Sequence, residues 1–103
     1  MNRTRSKSAQ EILNNIVAHI NKSPYSAGNW YVGITQNIQQ RLFGAHNVSE
    51  ENGWWIFDMA LSSFDARNVE EALIKWGCDG GTGGGDSDAL YVYAYYKAVN
   101  TRR

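Results

Sequence analysis

Cysteine and proline are nearly absent from this chain, which holds one of each, Cys78 and Pro24, in 103 residues. A single thiol cannot form an internal disulfide, and it cannot supply the cysteine pairs of structural zinc sites. The sequence therefore argues against a disulfide-bonded scaffold and a zinc finger, and a reducing compartment is the simple expectation. Because no histidine lies at a recognisable spacing from Cys78, the pattern favours a packed thiol over a catalytic nucleophile.

Long hydrophobic runs are also missing. No segment is long enough to span a membrane, and the N-terminal residues lack the apolar stretch of a signal peptide. We therefore expect a cytoplasmic protein without a membrane partner.

The chain has no net charge, because ten basic residues balance ten acidic ones. Tight nonspecific DNA binding usually depends on a positive surface, so this balance argues weakly against it. The charges are nevertheless unevenly distributed: five cations lie at the two ends, and nine acids lie between Glu50 and Asp88. Arg3 and Arg5 in the N-terminal arm are candidate phosphate contacts, and the alternative is that both ends are solubilising tails.

The glycine-rich stretch CDGGTGGGDSD does not fit a phosphate-binding loop. It lacks the lysine followed by serine or threonine, and it is predicted to connect a helix to a strand rather than a strand to a helix. We predict a connector over residues 77–88. A lid over a ligand and a weak calcium site made by Asp79, Asp86 and Asp88 are the alternatives.

Hydrophobic periodicity predicts alternating helices and strands. The helices are predicted over 8–22, 37–46 and 63–77, and the strands over 30–35, 54–62 and 89–97. This order predicts an α/β fold with a small three-stranded mixed sheet flanked by about three helices. We expect a disordered basic arm over 1–7, a single domain over 8–100 and a basic tail over 101–103.

Aromatic residues are plentiful in the predicted strands. Tyr91, Tyr93 and Tyr95 alternate and should share one face of the last strand. They can form a stacking platform for nucleic-acid bases or a buried face of the core, and Trp54 and Trp55 raise the same question. The core interpretation is favoured for all five.

Chemistry-bearing residues cluster in the segment WYVGITQNIQQRLFGAHN, residues 30–47. Arg41 lies at the border of the apolar stripe of its predicted helix, and Glu70 lies at a similar border on the last helix. Tyr31 precedes the short strand-to-helix turn, so the phenol, the guanidinium and the carboxylate can converge at one end of the sheet. Such a set suits phosphodiester cleavage, although spacing alone favours ordinary amphipathic border positions for Arg41 and Glu70.

The pattern Y-x-G-I-T-x-N-x-x-x-R-L, followed closely by H-N, resembles the second half of the GIY-YIG nuclease signature. In that family the second triplet ends a strand, and the catalytic arginine follows its tyrosine by ten residues, as Arg41 follows Tyr31. A glutamate on a later helix binds the metal, often four residues after an alanine, and Ala66 and Glu70 match this spacing. The resemblance implies a GIY-YIG-like fold and catalytic roles for Tyr31, Arg41 and Glu70.

The first triplet of the family normally lies on a strand one hairpin upstream, where this chain has a predicted helix and a loop. The upstream tyrosine is Tyr25, six residues before Tyr31, and it is the candidate replacement. His46 falls one residue later than the family histidine and is a further catalytic candidate. It can also simply favour the dipole at the end of its helix. The family asparagine near the chain end has no convincing equivalent.

The resemblance therefore implies a nucleic-acid endonuclease that hydrolyses phosphodiester bonds with Mg²⁺ or another divalent metal bound by Glu70. Gly33, Thr35 and Asn37 are candidate substrate contacts beside Arg41. The alternative function is a catalytically degenerate GIY-YIG-fold module that binds nucleic acid, a nucleotide or a protein partner. A third class is a homodimer formed through the aromatic strand.

Overall fold

A computed structural model describes residues 6–51, 53–80 and 89–102 of the chain. Within them, five strands form one mixed sheet in the order β1-β3-β5-β2-β4. The strands are β1 (Ser6–Lys7), β2 (Trp30–Thr35), β3 (Trp55–Ala60), β4 (Asp79–Gly80) and β5 (Tyr91–Tyr96). The helical elements are α1 (Ala9–Lys22), a 3₁₀ turn (Ala27–Asn29), a π-helical segment (Gln39–Ala45) and α2 (Ser63–Trp76).

The three long strands coincide with the three predicted ones, and β2 has the predicted bounds. The prediction of a three-stranded sheet was wrong, because the two-residue strands β1 and β4 extend its edges by parallel pairing with β3 and β2. Ser6–Lys7 was assigned to the disordered arm, yet it pairs with Met59 and Ala60. Strands this short carry too little periodicity to be recognised in a sequence.

Strand β5 lies at the centre of the sheet and pairs antiparallel with both β2 and β3. Gly33 of β2 lies directly opposite Tyr93 of β5. The last strand of the chain is therefore the hydrogen-bonded neighbour of the strand that carries Tyr31.

The two α-helices cover one face of the sheet and end where their sequences predict. The Ser8 hydroxyl accepts a hydrogen bond from the Glu11 N–H at 3.2 Å and caps α1, and the Ser62 hydroxyl caps α2 in the same way. Helix α2 ends at Gly77, whose φ of 136° suits a residue without a side chain. The helix-side core includes Ile12, Ile16, Val32, Ala94 and Leu73.

The opposite face of the sheet is aromatic. Tyr31, Tyr93 and Tyr95 pack there against Leu42 of the π-helical segment. Because side chains alternate across a strand, the odd-numbered positions of β2 and β5 all point to this face. Tyr93 and Tyr95 are buried, as the core interpretation predicts, whereas Tyr91 and Trp55 are half-buried and Trp54 is exposed, so that interpretation does not hold for all five aromatic residues.

The segment predicted as an α-helix over 37–46 adopts wider π-helical turns. The His46 N–H donates to the Arg41 carbonyl, five residues earlier, at 3.0 Å. The Asn37 side chain accepts a hydrogen bond from the Gln40 N–H at 3.1 Å, so it satisfies a first-turn amide. Hydrophobic periodicity did not predict these turns, because it does not reveal the extra residue that each of them contains. π-Helical turns are frequent at functional sites.

In the described part of the chain, no helix combines the length and the apolar character needed to cross a membrane.

Candidate functional site

Tyr93 lies at the centre of a cluster of polar side chains on the aromatic face. Its side chain is buried, with 1% of its surface exposed, and its ring lies over the α-carbon of Gly33. A β-carbon on residue 33 would lie 2.6 Å from Cζ of Tyr93 and would also contact the hydroxyl oxygen. Only a glycine opposite Tyr93 therefore lets the phenol reach across β2.

His46 forms a hydrogen bond with Tyr93 through Nε2, which lies 2.7 Å from the Tyr93 hydroxyl oxygen. The other ring nitrogen, Nδ1, lies 2.6 Å from the backbone carbonyl oxygen of Arg102. A carbonyl can only accept, so Nδ1 carries the proton and Nε2 accepts the hydrogen bond donated by the Tyr93 hydroxyl. His46 is therefore oriented as a neutral base toward the phenol.

Burial is the main cause that lowers the pKa of His46 below its ordinary value of 6.5. The Arg102 carbonyl opposes this shift, and the positive charge of Arg41 adds to it. The neutral form of His46 is therefore favoured at neutral pH, as acceptance of a proton from Tyr93 requires.

Arg41 approaches the same phenol from the solvent side. Its side chain is exposed and lies near enough to the Tyr93 hydroxyl to affect its pKa. Burial raises the pKa of Tyr93 to about 12, and Arg41 partly offsets this rise. The positive charge of Arg41 thus acts on a phenol whose proton points to the buried His46.

Tyr31 and Glu70 complete the surroundings of Tyr93. The Tyr31 ring lies 5.0 Å from the His46 ring, measured between centroids. Negative charge on Tyr31 or Glu70 raises the pKa of Tyr93, so both groups lie within electrostatic range of its hydroxyl. Of the predicted site residues, Tyr31, Arg41 and His46 lie near Tyr93 on the aromatic face, whereas Glu70 acts on the Tyr93 hydroxyl from α2 on the helix-covered side.

Glu70 on α2 is buried, with 4% of its surface exposed. Burial is the main cause that raises its pKa from 4.5 to about 7; Arg67 lowers it and Glu71 raises it further. A cation beside the carboxylate would offset this burial. Among the described residues, no group of three histidine, cysteine or acidic side chains converges as a metal site.

A polar pocket of about 460 Å³ adjoins Arg41. Thr35 and Asn37, predicted as substrate contacts, both line it, and Gly33 instead makes room for Tyr93. The complete lining is Ile34, Thr35, Gln36, Asn37, Gln40, Arg41 and Ala45. The pocket therefore offers amide and hydroxyl groups next to one guanidinium.

Tyr25, the candidate replacement for the first family tyrosine, lies elsewhere. Its ring stacks on that of Tyr96 with 3.7 Å between centroids, and it packs against the helix-side core. The sheet lies between Tyr25 and the aromatic face that carries Arg41 and His46. The structure therefore does not bring Tyr25 into the cluster. Arg3 and Arg5 lie outside the described residues.

Sequence reasoning did not select Tyr93 as a candidate catalytic residue. It favoured a core position for the alternating tyrosines, and it looked for the tyrosine of the first family triplet upstream of Tyr31. Tyr93 could have been found by considering that the predicted strand over 89–97 can also be the antiparallel neighbour of β2. Tyr95 and the Arg102 carbonyl were missed for the same reason, since their contacts with His46 depend on where β5 pairs.

The remaining predictions concern residues away from this cluster. Cys78 is buried, and burial raises its pKa to about 11, which supports a packed thiol. His19, also away from the cluster, is half-buried and contacts the Trp30 ring edge-on. Asp79 pairs with Lys97 at 3.2 Å, whereas residues 81–88 of the predicted connector lie outside the described residues.

Comparison of the chain with protein-family models, with curated proteins and with solved structures finds no match.

Proposed function

We propose that this protein is a metal-dependent nucleic-acid endonuclease of GIY-YIG type, in which Tyr93 is the central catalytic phenol. The observation that carries the proposal is the position of the Tyr93 hydroxyl between the Arg41 guanidinium and Nε2 of His46. A phenol hydrogen-bonded to a neutral imidazole, with an exposed cation nearby, suits proton transfer beside a phosphate.

The arrangement also accounts for the tyrosine that is absent upstream. In the family that this sequence resembles, the first-triplet tyrosine lies on the hairpin partner of the second-triplet strand. Here the antiparallel neighbour of β2 is β5, and Tyr93 lies directly across from Gly33. We infer that Tyr93 occupies the spatial position of the first-triplet tyrosine. The strand that carries it follows β2 in the sequence instead of preceding it, but in both cases it is the antiparallel neighbour of the second-triplet strand.

The side chains have distinct roles in this mechanism. The Tyr93 oxygen takes a proton from the attacking water as its own proton passes to Nε2 of His46. Arg41, which is exposed beside the polar pocket, neutralises the charge that develops on the phosphoryl oxygens. Tyr31 lies against His46, and its hydroxyl positions the attacking water.

Glu70 is the residue that would hold a divalent metal. Mg²⁺ commonly binds proteins through one or two carboxylates and completes its shell with water and substrate phosphates, so one carboxylate fits this ion. When bound, the metal would polarise the phosphate and stabilise the leaving oxygen. Because the pKa of Glu70 is about 7, the charged form that binds a cation gains population as the pH rises through neutrality.

The test is Mg²⁺-dependent cleavage of mixed DNA and RNA by the wild-type protein, Arg41→Ala and Glu70→Ala. Lys75→Ala is the matched control, because Lys75 is an exposed cation on the helix that carries Glu70. We expect both site variants to lose at least about a hundredfold in rate and the control to cleave like wild type. An inert wild-type protein, or full activity in Glu70→Ala, would overturn the proposal.

Binding measured by fluorescence anisotropy on the same substrates separates the alternative function. A wild-type protein that binds nucleic acid through Arg41 but leaves it intact is a binding module with the same pocket. That result would assign the amide-lined pocket to recognition and remove the catalytic role of Tyr93.

A further inference from the structure

The last described residues of the chain lie against the segment that carries His46. The Arg102 N–H donates to the His46 carbonyl at 2.8 Å, and the Asn47 side-chain amide donates to the Asn100 carbonyl at 2.9 Å. Asn47 has a φ of 57°, the left-handed conformation that asparagine tolerates better than most residues. Two hydrogen bonds therefore fix the tail, residues 98–102, to His46 and its neighbour.

The tail also contacts the imidazole itself. The Arg102 carbonyl oxygen lies 2.6 Å from Nδ1 of His46 and accepts a further hydrogen bond from the Tyr95 hydroxyl at 2.9 Å. The Tyr95 oxygen lies 3.0 Å from the same Nδ1. The Arg102 carbonyl thus requires a proton on Nδ1 and leaves the lone pair of Nε2 for Tyr93.

We infer that the chain's own tail is a positioning element for His46: the Arg102 backbone carbonyl fixes the imidazole tautomer that can accept the Tyr93 proton. The catalytic consequence rests on the proposed nuclease function, whereas the tautomer itself is independent of any activity. The role belongs to the backbone of Arg102, and its exposed side chain is not required for it.

The surroundings of His46 are consistent with a neutral ring held by the tail. Tyr93 and Tyr95 face it from β5, and Tyr31 faces it from β2. Arg41, the cation that acts on it from the π-helical segment, disfavours a second proton on the imidazole. With a single ring proton available, the carbonyl decides which nitrogen carries it.

The experiment measures the tautomer and the cleavage rate on the same proteins. The chain has two histidines, so long-range ¹H–¹⁵N correlation spectra resolve His46 with His19 as an internal reference. The variants are a chain ending at Asn100, which lacks the Arg102 carbonyl, and full-length Arg102→Ala, which keeps it. Val99→Ala is the control for activity, because Val99 lies in the same tail with its side chain fully exposed.

We expect the proton of His46 on Nδ1 in wild type and in Arg102→Ala, and a shift toward Nε2–H in the shortened chain. Cleavage should fall at least about tenfold in the shortened chain, within the range of general base catalysis, and stay at the wild-type rate in Val99→Ala. A shortened chain that keeps the Nδ1–H form, or an Arg102→Ala variant that loses it, overturns the inference.

A second variant covers the case in which the shortened chain does not fold. Asn47→Gly combined with Arg102→Pro removes both anchoring donors from a full-length chain, and glycine accepts the left-handed conformation of residue 47. The same tautomer shift is expected, with the His19 signals unchanged. A tautomer shift without a fall in cleavage overturns the catalytic role of the tail. If the wild-type protein does not cleave nucleic acid, a tautomer shift in the variant still supports the positioning of His46 by the tail, and only the proposed nuclease function fails.

Discussion

The Tyr93 hydroxyl donates a 2.7 Å hydrogen bond to Nε2 of His46, although 47 positions separate the two residues in the chain. Strand β5 brings them together, because it inserts between β2 and β3 and directs Tyr93 to the aromatic face. The exposed Arg41 lowers the pKa of the same phenol and partly offsets the effect of its burial. The most specific contact of the candidate site therefore depends on the last strand of the fold.

Tyr93→Phe removes the phenol hydroxyl and leaves the ring. We expect cleavage to fall at least about a hundredfold, because water loses its proton acceptor. We also expect the free energy of unfolding to fall by about 1–3 kcal/mol, since the buried Nε2 of His46 loses its partner. Cleavage assays and urea denaturation measure the two effects.

Tyr91→Phe is the control for this substitution, because Tyr91 is half-buried on the same strand. We expect it to cleave like wild type. If Tyr93→Phe retains wild-type activity, the hydroxyl of Tyr93 has only a structural role as the buried hydrogen-bond partner of His46.

Sequence reasoning predicted the strand-to-helix unit at residues 30–47 because its residues are neighbours in the chain. Local patterns also placed Glu70 on the buried border of α2, where it is found. The pairing of β5 between β2 and β3 depends on contacts across most of the chain, and alternation in one strand does not choose its neighbours. Tyr25 was selected for its proximity in sequence, and Tyr93 was overlooked for its distance.

Gly33→Ala should disturb Tyr93 directly. The new methyl group would lie 2.6 Å from Cζ of a ring that is 1% exposed, so the phenol must move away from its partners. We expect a loss of about 1–3 kcal/mol in unfolding free energy, as for an overpacked core, and a matching loss of cleavage. Thermal unfolding and cleavage rates measure the change.

Gly28→Ala is the control, because the nearest atom to its added β-carbon is 4.0 Å away. We expect it to retain wild-type stability within about 1 kcal/mol. Equal behaviour of the two variants would mean that the ring of Tyr93 adapts freely and that Gly33 has no special role.

Glu70 predicts an unusual dependence of stability on pH. Its pKa is about 7 in the folded protein and 4.5 as the ordinary value, so between these values the folded chain retains a proton that the unfolded chain has lost. The proton on folded Glu70 contributes no more than about 3 kcal/mol to the free energy of unfolding. This contribution is complete below pH 4.5 and is lost as the pH rises through about 7. Glu70→Gln should remove this decline while abolishing metal-dependent cleavage.

Urea denaturation at pH 5 and pH 8 measures the difference, with Glu71→Gln as the control because Glu71 is its exposed neighbour. His46 contributes in the opposite direction, since its lowered pKa means that stability is lost as the pH falls below 6.5. The comparison is therefore made between wild type and each variant at the same pH. A wild-type decline that persists in Glu70→Gln would assign it to another group.

Tyr25 and Tyr31 provide a paired test of which tyrosine belongs to the site. Tyr25→Phe keeps the ring that stacks on Tyr96, so we expect wild-type cleavage and stability. Tyr31→Phe removes a hydroxyl within electrostatic range of Tyr93, and we expect cleavage to fall about tenfold or more with the fold retained. Both rates are measured on the same substrate, and a loss confined to Tyr25→Phe would place the chemistry on the helix-covered face and contradict the cluster around Tyr93.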